Sequence, residues 1–114
     1  MAQAHKYLHE MLSGSTSTVG LHWPHVLGML VQICRARSPE SEAVLREAAE
    51  FEGTLALDPE RGLPHSMSPE DFLRSIAVQT LGKWDKTLHQ DAIIRAVALA
   101  DHERVVTNAR PYLL

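Results

Sequence analysis

The strongest constraint on this chain is a recurrence. Ser38-Pro39-Glu40 opens a segment that reaches Leu45-Arg46 and Ala49, and Ser68-Pro69-Glu70 opens another that reaches Leu73-Arg74 and Ala77. A third opening, Asp101-His102-Glu103, precedes Val105-Val106 and Ala109. Superposed on the alanines, the copies lie 28 and 32 residues apart. Each begins as helices begin. A polar cap comes first, and in two copies a proline follows where a missing N–H has no partner to lose; an acid then stands beside the positive end of the dipole. About thirty residues suits a helix and its neighbour joined by short turns, and a small residue at the shared position lets adjacent helices approach closely.

Apolar spacing fills in the rest. Ala4, Tyr7, Leu8, Met11 and Leu12 predict a first helix over about Ala2 to Leu12, ended by the small polar run Ser13 to Gly20. A second starts near Pro24, carries Val26, Leu27, Leu30, Ile33 and Cys34 on one stripe, and ends with Arg35 and Arg37 where the dipole favours cations. In the third, Val44, Ala48, Phe51 and Leu55 share a side, Glu40, Glu47 and Glu50 fall opposite, and Gly53 marks the end. Glu52 is then either freed in solvent or paired inward with Arg46 or Arg74. Two prolines and a glycine make Leu57 to Met67 a loop.

The fourth helix buries Phe72, Leu73, Ile76, Ala77 and Leu81 and stops at Gly82. Thr87 with Gln90 reads as a capping box opening the fifth, whose body, Ala92 to Ala100, is apolar nearly all round and should be sandwiched. Asp101 should cap the sixth. No alternating stretch bounded by turns predicts a strand.

The stretch Leu73 to Trp84, followed by a helix and then Leu99 to Leu114, resembles the HEAT and HEAT-like (bilin-lyase type) repeat pattern, in which an Asp opens a helix reading roughly V-R-x-x-A-x-x-x-L-G. Arg74, Ala77, Leu81 and Gly82 match it, Asp101, Val105 and Ala109 match again, and Arg46 and Ala49 match more loosely. The pattern departs at Val106, where the family usually has arginine, and at Pro111. The resemblance covers residues 38–114 and implies an all-α chain of six helices, about three pairs stacked as a short right-handed α-solenoid. The whole chain, 1–114, is then one helical-repeat domain, with residues 1–37 its N-terminal helix pair or cap.

Charge is uneven. The formal net is -3, but the segment from Pro39 to Glu60 holds Glu40, Glu42, Glu47, Glu50, Glu52, Asp58 and Glu60 against Arg46 alone, a local net of -6. Such a segment repels phosphate backbones and attracts a basic partner, and with three lysines and no interleaving of basic and aromatic residues the chain is not expected to bind nucleic acid. No apolar run nears the length that spans a bilayer, and the N-terminus lacks the order of a secretory signal, so a soluble cytoplasmic protein with no membrane contact is expected. One cysteine, Cys34, excludes an internal disulfide, and its apolar-periodic position reads as a buried, inert thiol.

Seven histidines raise a metal question. His5 and His9 are one helical turn apart and His22 and His25 flank Trp23-Pro24, yet Glu10 follows His9 rather than standing between the first pair as metalloprotease chemistry needs. Solvated surface histidines are the expected state, with no metal and no cofactor. No nucleophile elbow, phosphate loop or dinucleotide fingerprint occurs, and glutamates on a solvated face lack the raised pKa of a general acid, so no enzyme is expected.

A stacked helical array exposes one row of helices, commonly as a protein-binding surface. By register that row carries Glu40, Glu47, Glu50, Ser75, Gln79, Thr107 and Arg110. The expectation is a non-enzymatic protein-binding module, monomeric or weakly self-associating, with a basic protein as partner. In a more pointed form it is a bacterial immunity protein that neutralises a basic toxin such as a nuclease. The alternatives are an adaptor or a fragment of a longer repeat scaffold, which the apolar end at Leu113-Leu114 would suit, and a small metal protein or enzyme using the histidines.

Overall fold

A computed structural model describes residues 2–14, 23–55 and 67–114. The described residues form six helices, α1 (Ala2–Ser13), α2 (Trp23–Ala36), α3 (Pro39–Glu50), α4 (Pro69–Asp85), α5 (Gln90–Leu99) and α6 (Glu103–Ala109), closed by a 3-10 turn over Arg110–Tyr112. No strand occurs among them. The expected loops over Ser13 to Gly20 and Leu57 to Met67 lie almost wholly outside the described residues, as do His22, Asp58 and Glu60.

The repeated helix opening is built as the sequence predicts. Ser38 Oγ accepts the Ser41 amide at 3.1 Å and Ser68 Oγ accepts the Asp71 amide at 3.1 Å, each with proline in the first turn. Ala49, Ala77 and Ala109 are all fully buried in one core. The helices that carry them are neighbours, because α4 packs against both α3 and α6. It also packs against α5, and α1 packs on α2 and α3. Leu73, Val78 and Leu81 of α4 meet Leu45 and Ala48 of α3, Ile93 and Ala96 of α5 and Val105 of α6 in that core. Trp23 starts α2 fully buried, edge-on to Phe72, with ring centroids 5.0 Å apart.

A buried ion pair holds the alignment. Arg74 donates from one guanidinium nitrogen to Asp71 Oδ1 at 2.6 Å and from another to the Phe51 carbonyl at 2.6 Å. The second carboxylate oxygen of Asp71 accepts the amides of Asp101 and His102, at 3.1 and 2.9 Å. One pair thus joins the end of α3, the first turn of α4 and the start of α6. Its contacts offset the desolvation of two charges, which otherwise costs several kcal/mol per ion.

Helix ends differ from the sequence reading in four places. α3 stops at Glu50, short of Gly53, because Phe51 turns extended to offer its carbonyl to Arg74. Glu52 therefore leaves the helix and pairs in solvent with Arg95, not with Arg46 or Arg74. α4 runs past Gly82 to Asp85; the glycine is needed for close approach, since a Cβ there would lie 2.3 Å from Tyr112 Cγ. Thr87 caps nothing: α5 begins at Gln90, whose side-chain amide donates to the Lys86 and Tyr112 carbonyls and whose oxygen accepts the Leu114 amide. Finally, His102 caps α6 in place of Asp101, its Nδ1 accepting the Arg104 amide at 3.1 Å. The other corrections concern burial. α5 is not sandwiched, for Ile94 is exposed, and Cys34 is half-buried with its sulfur 3.6 Å from Thr80 Oγ1.

Candidate functional site

The two histidines of α1 point at α3, not at each other's ligand. His5, expected in solvent, is buried and donates from Nε2 to Ser41 Oγ at 2.7 Å. Ser41 Oγ in turn donates a hydrogen bond to the Ile33 carbonyl, also at 2.7 Å. With its hydrogen on the Ile33 carbonyl the hydroxyl accepts from His5, and the contact ties α1 to α3 as a strut. One turn on, His9 Nδ1 donates to both oxygens of Glu47, at 2.8 and 2.7 Å. Helical spacing of i, i+4 on α1 is what brings both rings onto one neighbour.

Beside these struts lies an open groove of about 560 Å³, lined by His5, Lys6, His9, Ser38, Glu40, Ala43, Val44 and Glu47. Two carboxylates face one ammonium along it, with Ala43 and Val44 supplying apolar wall. Glu40 is exposed and forms no ion pair among the described residues, whereas Glu47 is held by His9. Glu50, one turn beyond Glu47, is exposed at the last position of α3.

Elsewhere α3 turns its charges inward. Arg46 pairs with Asp91 of α5 and donates to His89 Nδ1 at 3.1 Å. Because that nitrogen accepts, the proton of neutral His89 sits on Nε2, which lies 3.6 Å from Glu42 in a buried position. Asp91 is exposed, and its hydrogen bond from Arg46 holds its carboxyl below the ordinary value of 3.8. Glu47 and Glu52 are thus partnered within the molecule, by His9 and Arg95, whereas Glu42 stands 3.6 Å from the neutral His89 ring without a hydrogen bond from it. The acidic run offers fewer unmatched charges than its sequence suggests.

Of the residues placed on an exposed row, Glu40 and Glu47 come together in the groove. Glu50, Gln79, Thr107 and Arg110 are exposed but do not line it. Ser75 was expected on the surface and is buried, donating to the Phe72 carbonyl at 2.7 Å. The reason is the central place of α4: with α3, α5 and α6 packed around it, the position between Arg74 and Ile76 has no path to water. The sequence reading missed Lys6, Ser38, Ala43 and Val44 as groove residues and read His5 and His9 as solvated. The signal for the histidines was their i, i+4 spacing; nothing in the sequence pointed to α3 as their target.

No group of three or more metal-ligating side chains is assembled among the described residues. No helix among them is long and apolar enough to cross a membrane. No family model, curated protein or solved structure matches the chain.

Proposed function

We propose that this chain is a non-enzymatic protein-binding module that receives a basic, apolar-faced helix of a partner along the groove between α1 and α3. The observation that carries the reading is the pairing of apolar wall at Ala43 and Val44 with the unmatched carboxylate of Glu40, continued along α3 by Glu50. A helix laid into such a groove buries apolar side chains on the wall and sets lysine or arginine against the acids. The side-by-side placement of α3, α4 and α6 supports a HEAT-like stacking, read as a short right-handed solenoid whose first turn of helices presents the groove. In its most specific form the partner is a basic toxin such as a nuclease, and the chain is a bacterial immunity protein that covers the toxin's active site. That form rests on charge and size alone.

Electrostatics of exposed carboxylates act chiefly on encounter, so the test is kinetic. With an amphipathic lysine-leucine peptide as probe, Glu40→Lys/Glu50→Lys is expected to slow association about tenfold at low salt with little change in dissociation. An unaltered association rate would remove the acidic stretch of α3 from the account.

A further inference from the structure

Four cations stand at the C-terminal ends of α2 and α4, two helices that touch there through side chains. Arg35, Arg37, Lys83 and Lys86 are all exposed, and none forms an ion pair with a carboxylate among the described residues. The two helix ends are joined by two side-chain contacts, Cys34 against Thr80 and Arg37 against Trp84. The guanidinium of Arg37 stands 5.7 Å from the indole centroid and donates to the Trp84 carbonyl at 3.5 Å. Asp85, the acid within this set, accepts the Leu88 amide instead.

Cations at helix C-termini complement the dipole, which accounts for Arg35 and Lys83. It does not account for Arg37. That residue sits at φ 43°, in the left-handed region, where helices ordinarily carry glycine and a side chain costs about 1 kcal/mol. An arginine thus stands where stereochemistry favours glycine, with its head group over the indole.

We infer that this corner is a second docking surface, fitted to an acidic segment of a partner protein. A guanidinium held by a ring and a carbonyl loses less freedom on meeting a carboxylate, which it can grip through two parallel hydrogen bonds. Exposed apolar side chains adjoin the cations along the chain: Val31, one turn before Arg35, is 48% exposed, and Leu88, just past Lys86, is 60% exposed. A segment that mixes acidic and apolar side chains matches both. Single-stranded nucleic acid matches less well, because Trp84 is half-buried with Arg37 over its ring and leaves no open platform for a base. The corner shares no residue with the groove between α1 and α3.

The test is fluorescence anisotropy of labelled poly-L-glutamate with the full chain at about 50 mM salt, where exposed charges still act over more than 10 Å. Lys83→Glu/Lys86→Glu is expected to weaken binding about tenfold or more, and Arg37→Gly about threefold without lowering the melting temperature, since the strain at that position is relieved. Arg104→Glu, at an exposed cation on α6, should leave binding within about twofold, as should Glu40→Lys/Glu50→Lys, so the two surfaces fail or hold separately. Three results would overturn the inference. One is absence of binding by the wild-type chain; another is a loss with Arg104→Glu equal to that with Lys83→Glu. The third is tighter binding to phosphatidylserine vesicles, or to an oligonucleotide of similar charge, than to poly-L-glutamate.

Discussion

Removing the carboxylate of Asp71 should do more damage than any other single change to a charged residue. Asp71 is 1% exposed and its carboxylate accepts three hydrogen bonds, one from Arg74 and two from backbone amides just before α6. In Asp71→Ala the guanidinium of Arg74, itself 6% exposed, stays buried with only the Phe51 carbonyl as partner. Breaking a buried pair by deleting one member costs about 3–5 kcal/mol, and each amide left without an acceptor adds about 1 kcal/mol or more unless water reaches it. With both amides stranded a loss of about 5–7 kcal/mol is therefore expected, a large share of the stability of a domain this size. Urea unfolding followed by far-UV circular dichroism measures it. Asp71→Asn, which keeps one oxygen for the two amides but surrenders the charge, should fall between wild type and alanine. Asp71→Leu/Arg74→Met should recover most of the loss, because it removes the stranded charge as well. If Asp71→Ala lies within about 1 kcal/mol of wild type, the pair does not join these helices as described.

Gly82→Ala sets helix propensity, worth about 1 kcal/mol, against a methyl group 2.3 to 2.8 Å from Tyr112 carbons. The clash should win by about 1–3 kcal/mol and free the C-terminal turn, seen as faster chymotrypsin cleavage after Tyr112; in a Tyr112→Ala background, where only the Cβ at 2.8 Å remains in the way, the penalty of the glycine substitution should shrink. For Asp91, the lowered carboxyl means that its contribution is present above the ordinary value of 3.8 and disappears as pH falls through the lower folded value. Carbon-13 titration should place its midpoint below that of a free aspartate, and Arg46→Ala should raise it; the stability effect is small because the side chain is 66% exposed. Glu47→Gln should cost under about 1 kcal/mol, and less still in high salt, since the His9 contact is half in water.

Local signals were legible where they are satisfied within a few residues. The serine-proline openings of α3 and α4, the stripe of α1 and the alanine register all follow from short-range stereochemistry and one buried face. Readings failed where a distant segment decides. Gly82 is a perfectly ordinary stop signal until Tyr112 arrives beside it, and Gln90 is an ordinary capping residue until the C-terminal turn claims its amide. Phe51 leaves the helix early for the sake of Arg74, and Ser75 is covered because α4 is central. The groove was half visible, in the acids of α3, while the α1 residues that complete it depend on how two helices far apart in sequence are rotated toward each other.

The most direct measurement is a nitrogen-15 correlation spectrum of the chain, titrated with the amphipathic lysine-leucine peptide. Shifts concentrated at Lys6, His9, Glu40, Ala43, Val44 and Glu47 are predicted. Shifts spread evenly over the surface, or gathered on α6 with the groove residues unmoved, would contradict it.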